Sequence, residues 1–204
     1  MTGATGATLL HAGPAVGFEQ PFEMLEACHE RVKRSLGLLQ RLGAHLDEHG
    51  ADAQAVSAAR DVMRYFDVAG PLHHEDEELH ILPRLRAAGR DALADRLHAD
   101  HAALAAAWLR WRTVLVAVCG GHWDPGAAAA VRAGWHAFED LYEAHIALEE
   151  SVAFPSAARG VPVDDVATMG REMSARRRAV VVPATRPTPG DSPSRPCALP
   201  GAGT

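Results

Sequence analysis

The sequence predicts an all-α protein: an up-down-up-down bundle of four helices, with a short fifth helix lying across it. Three observations carry this. Apolar residues recur in alternating steps of four and three over four separate stretches, each long enough for a helix of roughly 25 to 35 residues. Glycine, proline and other turn-forming residues fall between those stretches. Aromatic residues make up only 5% of the 204 residues, and β-branched runs are nearly absent before Val180–Val182, which disfavours sheet.

Each element can be justified in turn. Residues 1–18 repeat Gly-Ala-Thr without apolar periodicity and read as a flexible lead-in. Pro21 opens the first helix, which runs to about His49 and is closed by Gly50. Its stripe is Leu25, His29, Val32, Leu36 and Leu39. The second begins near Asp52 and passes through Val56, Val62, Met63 and Phe66. Gly70-Pro71 should kink or break it, and it resumes as His74, Glu78, Ile81 and Leu85, ending at Gly89. The third starts around Asp91 and has the most regular stripe: Leu97, His101, Leu104, Trp108, Trp111, Leu115 and Val118. Gly120-Gly121 and Asp124-Pro125-Gly126 form its closing turn. The fourth gives Val131, Trp135, Phe138, Tyr142, His145, Glu149 and Val152, closed by Phe154-Pro155 and Gly160. A more polar stretch from Val163 to Arg178 supplies the fifth helix, so the bundle spans 19–178, and the Pro- and Gly-rich residues 179–204 read as a disordered tail.

Composition narrows the function. Hydrophobic residues reach 48%, enough for one buried core in a single domain. A net charge of −6 and the lack of a basic face argue against nucleic acid; Arg176–Arg178 is short and reads as solvating a helix end. Three scattered cysteines, Cys28, Cys119 and Cys197, do not form a disulfide framework, so a reducing, cytoplasmic setting is expected, with Cys28 a small packing residue. No stretch reads as a membrane span or a secretory leader. The oligomeric state is left open.

The chemistry lies in the stripes. Each carries a histidine where Leu, Val or Trp would otherwise stand: His29, His74, His101 and His145. Two place a carboxylate four residues on, Glu78 and Glu149, side by side with the histidine on a helix. A lone seam histidine is more often a hydrogen-bonded core residue than a ligand, and the acidic run Glu75–Glu78 by itself reads as a solvated face. One histidine per helix with two phased carboxylates is a different matter. Burying such carboxylates costs several kcal/mol each unless something compensates them, and a dinuclear iron or manganese centre does so. His73 and His80 fall off the stripe, as do His45, His49, His122 and His136, and are read as surface or packing residues.

From about Phe18 to Ala157 the chain resembles the hemerythrin-like family of His-His-Glu cation-binding domains. The carriers are His29, then His74-Glu75-x-x-Glu78 with Ile81-Leu82-Pro83, His101, and His145-Ile-x-x-Glu149-Glu150 with Phe154-Pro155. The resemblance implies two iron ions with carboxylate and oxo or hydroxo bridges. It implies Glu78 and Glu149 as bridges, with His29, His74, His101 and His145 as terminal ligands. The oxygen-carrying members use five histidines, two of them four apart on the third helix; here Leu97 stands at that place, and His98, only three before His101 and beside the stripe, is a further candidate ligand. Those members also set the fourth-helix carboxylate five after the histidine, which selects Glu150, whereas the stripe and the iron-sensing relatives select Glu149. The iron-sensing relatives add a carboxylate directly after the second-helix histidine, making Glu75 a further candidate. Tyr142 is expected to tune the centre from behind the ligands. The expected role is sensing or handling O2, NO, peroxide or iron; a diiron enzyme of peroxidase, catalase or NO-directed type, and a structural or single-zinc bundle, are the alternatives.

Overall fold

The computed structural model describes residues 16–181, and among them every regular element is helical. Residues 1–15 of the expected lead-in and 182–204 of the expected tail lie outside the described residues. The helices are α1 (Pro21–His49), α2 (Ala53–Arg64), α3 (Gly70–His80), α4 (Leu82–Ala87), α5 (Asp91–Cys119), α6 (Ala128–Leu148), α7 (Phe154–Ala157) and α8 (Val163–Val181). End to end, α2–α4 make one rod and α6–α7 another, so four rods form the bundle and α8 is the fifth. Pro21 stands at the start of α1, where its missing N–H costs nothing, and Gly50 ends the helix at φ 68°. Asp52 caps α2 by accepting from the Ala55 amide at 2.8 Å.

Each rod crosses three layers. One apolar layer contains Val32–Leu46 positions of α1, Ala55, Ala59, Val62 and Phe66, Leu104–Val118 positions of α5, and Val131–Tyr142 positions of α6. The other contains Met24, Leu25 and Cys28, then Ile81, Leu82 and Leu85, then Ala94 and Leu97, then Ala153, Phe154 and Ala157, with Met169 and Met173 from α8. Between them lie His29, His73, Glu77, His101, His145 and Glu149, all buried. Successive rods meet the layers in opposite order, as antiparallel neighbours must.

The expected break at Gly70-Pro71 does not occur. A wide π turn, Tyr65–Ala69, carries the rod through it, with the Gly70 amide reaching back to the Tyr65 carbonyl. A second, Glu149–Ala153, precedes Pro155 in the same way, the Phe154 amide bonding the Glu149 carbonyl. Proline has no N–H and its ring crowds the preceding turn, so widening that turn avoids ending the helix. The extra residue shifts the stripe: Ala153 and Phe154 are buried where Val152 was expected.

Two further corrections concern α5 and α8. By length and composition α5 is apolar enough to cross a membrane, with mean hydropathy 1.4 over its best window, contrary to the sequence reading. In the bundle that helix puts His101, Leu104, Trp108 and Trp111 into the interior. Arg176 and Arg177 do not solvate a helix end but reach buried Asp76.

α5 and α6 approach closely at Gly134, where an added methyl would overlap the buried Trp111 ring. Overpacking of this kind costs about 1–3 kcal/mol, against about 1 kcal/mol gained from better helix propensity. Gly134→Ala should therefore lower stability by up to about 2 kcal/mol in urea titration; a gain would show that the two helices can part freely here.

Candidate metal centre

The centre is built from four rods at the level of the polar layer. α1 supplies His29, α3 supplies His73, His74 and Glu77, α5 supplies His101, and the α6 rod supplies His145 and Glu149. Five imidazoles surround two carboxylates, each 1% exposed.

The two carboxylates are each divided between two groups of imidazoles. Glu77 Oε1 lies 3.1 Å from His73 Nε2 and 3.9 Å from His29 Nε2, while its Oε2 lies 3.3 Å from His101 Nε2. Glu149 Oε2 lies 3.2 Å from His29 Nε2, while its Oε1 lies 3.2 Å from His145 Nε2 and 3.9 Å from His101 Nε2. Two sets of donor atoms converge to within 4.8 Å: His29, His73, Glu77 and Glu149 on one side, and His74, Glu77, His101 and His145 on the other. His74 is only partly buried and stacks on His101 with ring centroids 4.3 Å apart.

These donors are left without hydrogen bonds. Both Glu77 oxygens, Glu149 Oε2, His29 Nε2, His101 Nε2, His73 Nδ1 and both His145 nitrogens are buried and unpartnered. Buried polar atoms normally find partners, and the six of these that face one another across the centre, all but His73 Nδ1 and His145 Nδ1, fit a bound cation. Nitrogen and carboxylate donors together suit iron, manganese or zinc.

Glu78, expected as a bridge, stands outside this cluster. It is 40% exposed and its Oε1 lies 3.0 Å from His101 Nδ1, the nitrogen facing away from the centre. Glu150 does the same for His29, with Oε1 2.9 Å from Nδ1. Each inward carboxylate is thus followed by a second one that orients an imidazole from another helix. Glu75 is exposed, and His98 is 63% exposed with Nδ1 3.3 Å from Glu78, so neither enters the cluster. His73, read as off the stripe, is inside it; His80 is also buried, but against α8. Tyr142 is buried with its ring 6.2 Å from that of His74.

The error at Glu78 has a local cause. Counting back from Leu85 and Ile81 in steps of four and three gives Glu78 and His74. The Ile81 amide still bonds the Glu77 carbonyl at 2.8 Å and the Leu85 amide the Ile81 carbonyl at 3.0 Å, so the inward face steps back from Ile81 by four, to Glu77, where the expectation took three. Counting forward from Phe66 by one heptad reaches His73 and then Glu77. That count was available in the sequence and conflicted with the other.

Electrostatics follow from burial. Burial and the nearby Glu149 charge push Glu77 up to about 8. His101 reaches about 10: burial opposes its charge, but the carboxylates of Glu149, Glu77 and Glu78 outweigh that. His29 is raised in the same way by Glu149 and Glu77 against its burial. His74 falls to about 3 through burial and the charges of His101 and His145, and His73 is also strongly lowered, chiefly by burial. Glu149 is held well below the usual carboxylate range because its imidazole neighbours overcome burial.

These shifts fix a pH dependence. Above the ordinary histidine value the ion-free fold holds more protons than the unfolded chain, on His101, His29 and Glu77. Stability of the ion-free protein should therefore fall as pH rises from about 7 to about 10. A bound cation must displace those protons, so its affinity should rise over the same interval. Melting curves with chelator and with added ion, run across that interval, should diverge; parallel curves would contradict the assignment.

Comparison with known proteins identifies a family of cation-binding domains. The hemerythrin HHE cation binding domain model matches residues 20–157. An uncharacterized protein of Haemophilus influenzae is 32% identical over 163 residues, covering 79% of this chain and 92% of the relative. The chain belongs to the hemerythrin HHE cation-binding domain family, whose domain binds metal cations, typically iron.

Proposed function

We propose that the protein holds two irons and presents them to a small ligand, O2, NO or peroxide, as a sensor or handler of that ligand or of iron. The observation that carries this reading is the division of each buried carboxylate between two imidazole groups. One ion would be held by His29, His73, Glu77 and Glu149, and the other by His74, His101, His145 and the remaining oxygens of Glu77 and Glu149. A single zinc would leave half of these buried atoms unpaired, at a cost of roughly 1–3 kcal/mol for each. Bound iron would supply one-electron redox chemistry and a position for an incoming ligand.

The residues around the centre favour reaction over reversible carriage. A carrier needs a closed, dry wall, whereas His74 and His101 border a cavity of about 540 Å³ between α3 and α5. Pro71, Leu104, Trp108 and Tyr142 form its apolar part, and Glu75 and Glu78 its acidic part. Asp67 steadies one wall by accepting from Trp108 Nε1 and Arg112 Nε, both at 2.9 Å. A diatomic molecule needs on the order of 30 Å³, the share of one water in the liquid. The surplus favours the second reading, a peroxidase-like, catalase-like or NO-directed enzyme, in which a larger reductant also enters. A cytoplasmic setting agrees with Cys28 and Cys119 forming no disulfide among the described residues.

Iron reconstitution under reducing conditions should give two irons per chain. Zinc alone, or one ion, would overturn the reading. Glu77→Gln should reduce the count to one or none, whereas Glu78→Gln should keep two and weaken binding about 10–100-fold; the reverse pattern would restore Glu78 as the bridge. Ala105→Trp, which narrows the cavity, should slow NO binding at least about tenfold at unchanged iron content. Sustained peroxide consumption by the loaded protein would decide for the enzyme, and stoichiometric binding without turnover for the sensor.

A further inference from the structure

α8 lies beyond the residues matched to the family, yet it is fastened to the helix that carries the centre. Asp76, directly before Glu77, is fully buried, a costly position for an unpaired carboxylate. Arg176 Nε donates to its Oδ1 at 2.7 Å and Arg177 Nη1 to its Oδ2 at 2.6 Å. Arg176 Nη2 also lies 2.9 Å from Nε2 of His80, one turn further along α3. Met169 and Met173 are buried among Leu25, Cys28 and Phe154, and the Phe154 ring stacks on His29 with centroids 5.5 Å apart. At Gly170 an added methyl would overlap the Phe18 carbonyl, so α8 also lies flush against the chain leading into α1.

The sequence of α3 makes such fastening necessary. His73-His74 and the acids Glu75-Asp76-Glu77-Glu78 contain two equally spaced pairs, His73 with Glu77 and His74 with Glu78, and both histidines but only Glu77 of the two acids join the donor groups. Rotating the helix by one residue would bring Glu78 towards the place of Glu77, at little cost in local preference. Among the described residues only one of the four acids, Asp76, meets a pair of guanidinium groups, and their fork geometry suits a fixed carboxylate.

We propose that α8 is a positioning clamp. Arg176 and Arg177, acting through Asp76, select the α3 register that turns Glu77 inward. The clamp thereby sets how firmly the His29–His73 side retains its ion. The second statement rests on the two-iron reading; the first does not.

The test uses the full chain with R176Q/R177Q. R178Q serves as a control, since Arg178 is exposed and bonds only Ser174 among the described residues. M173A controls for simple loss of packing. In ion-free protein, amide exchange over residues 73–80 should accelerate at least about tenfold in R176Q/R177Q. R176K/R177K should recover part of the protection. R178Q should match the native chain, and M173A, compared at equal loss of Tm, should accelerate exchange far less. In iron-loaded protein one of the two ions should leave to a chelator at least about tenfold faster. In the R176Q/R177Q background Glu78→Gln should now also lower the ion count, because both registers are sampled. Native exchange rates in R176Q/R177Q, or equal acceleration in M173A, would overturn the clamp. A native chain that holds fewer than two irons would overturn the two-iron reading instead, and exchange in the ion-free protein would still decide the clamp.

Discussion

Everything in this bundle answers to the burial of two carboxylates, Glu77 and Glu149, at 1% exposure in the middle of the chain's interior. A buried, uncompensated carboxylate costs several kcal/mol, more than most single contacts can return. The compensation comes from imidazoles on all four rods, and in family members from cations. That requirement explains why a polar layer sits between two apolar ones. Each apolar layer closes one end of the centre against water, and antiparallel rods bring histidines from distant parts of the chain to one height.

Two prolines shape that layer. Pro71 and Pro155 each follow a π turn. Both disturb the regular helical count close to metal-binding candidates. The disturbance is tolerable because the rods are held by packing above and below, so one residue of phase can be absorbed without moving the neighbours. The Glu77-Glu78 and Glu149-Glu150 doublets then serve two purposes. The first member of each turns inward, while the second meets the outer nitrogen of a histidine on a neighbouring rod. A histidine held at both nitrogens by fixed carboxylates is oriented before any ion arrives.

The centre is not symmetric in its surroundings. Phe154, Cys28 and the two buried methionines of α8 lie on the His29 side, where burial pushes the Cys28 thiol up and leaves it a packing group. The His74–His101 side faces a cavity with acidic groups and Tyr142. Burial raises the Tyr142 phenol far above its ordinary range, so it remains protonated there and can offer a hydrogen bond. The candidate centre therefore borders a cavity on one side and a packed wall on the other.

The sequence by itself determined the four rods, the fifth helix, and the buried, inward places of His29, His101, His145 and Glu149, because those positions lie on stripes where spacing equals direction. It also contained the family's paired His-x-x-x-Glu pattern. Whether Glu77 or Glu78 turns inward on α3, and that His73 joins His74 there, was decided only by the tertiary structure. His73-Glu77 and His74-Glu78 are equally spaced, and periodicity counted from Phe66 disagrees with periodicity counted from Leu85. The same holds for Arg176 and Arg177, which read as a solvated run until α8 is laid against Asp76. Local spacing tells which residues share a helical face. Which face turns inward where proline breaks the count depends on partners contributed by other helices.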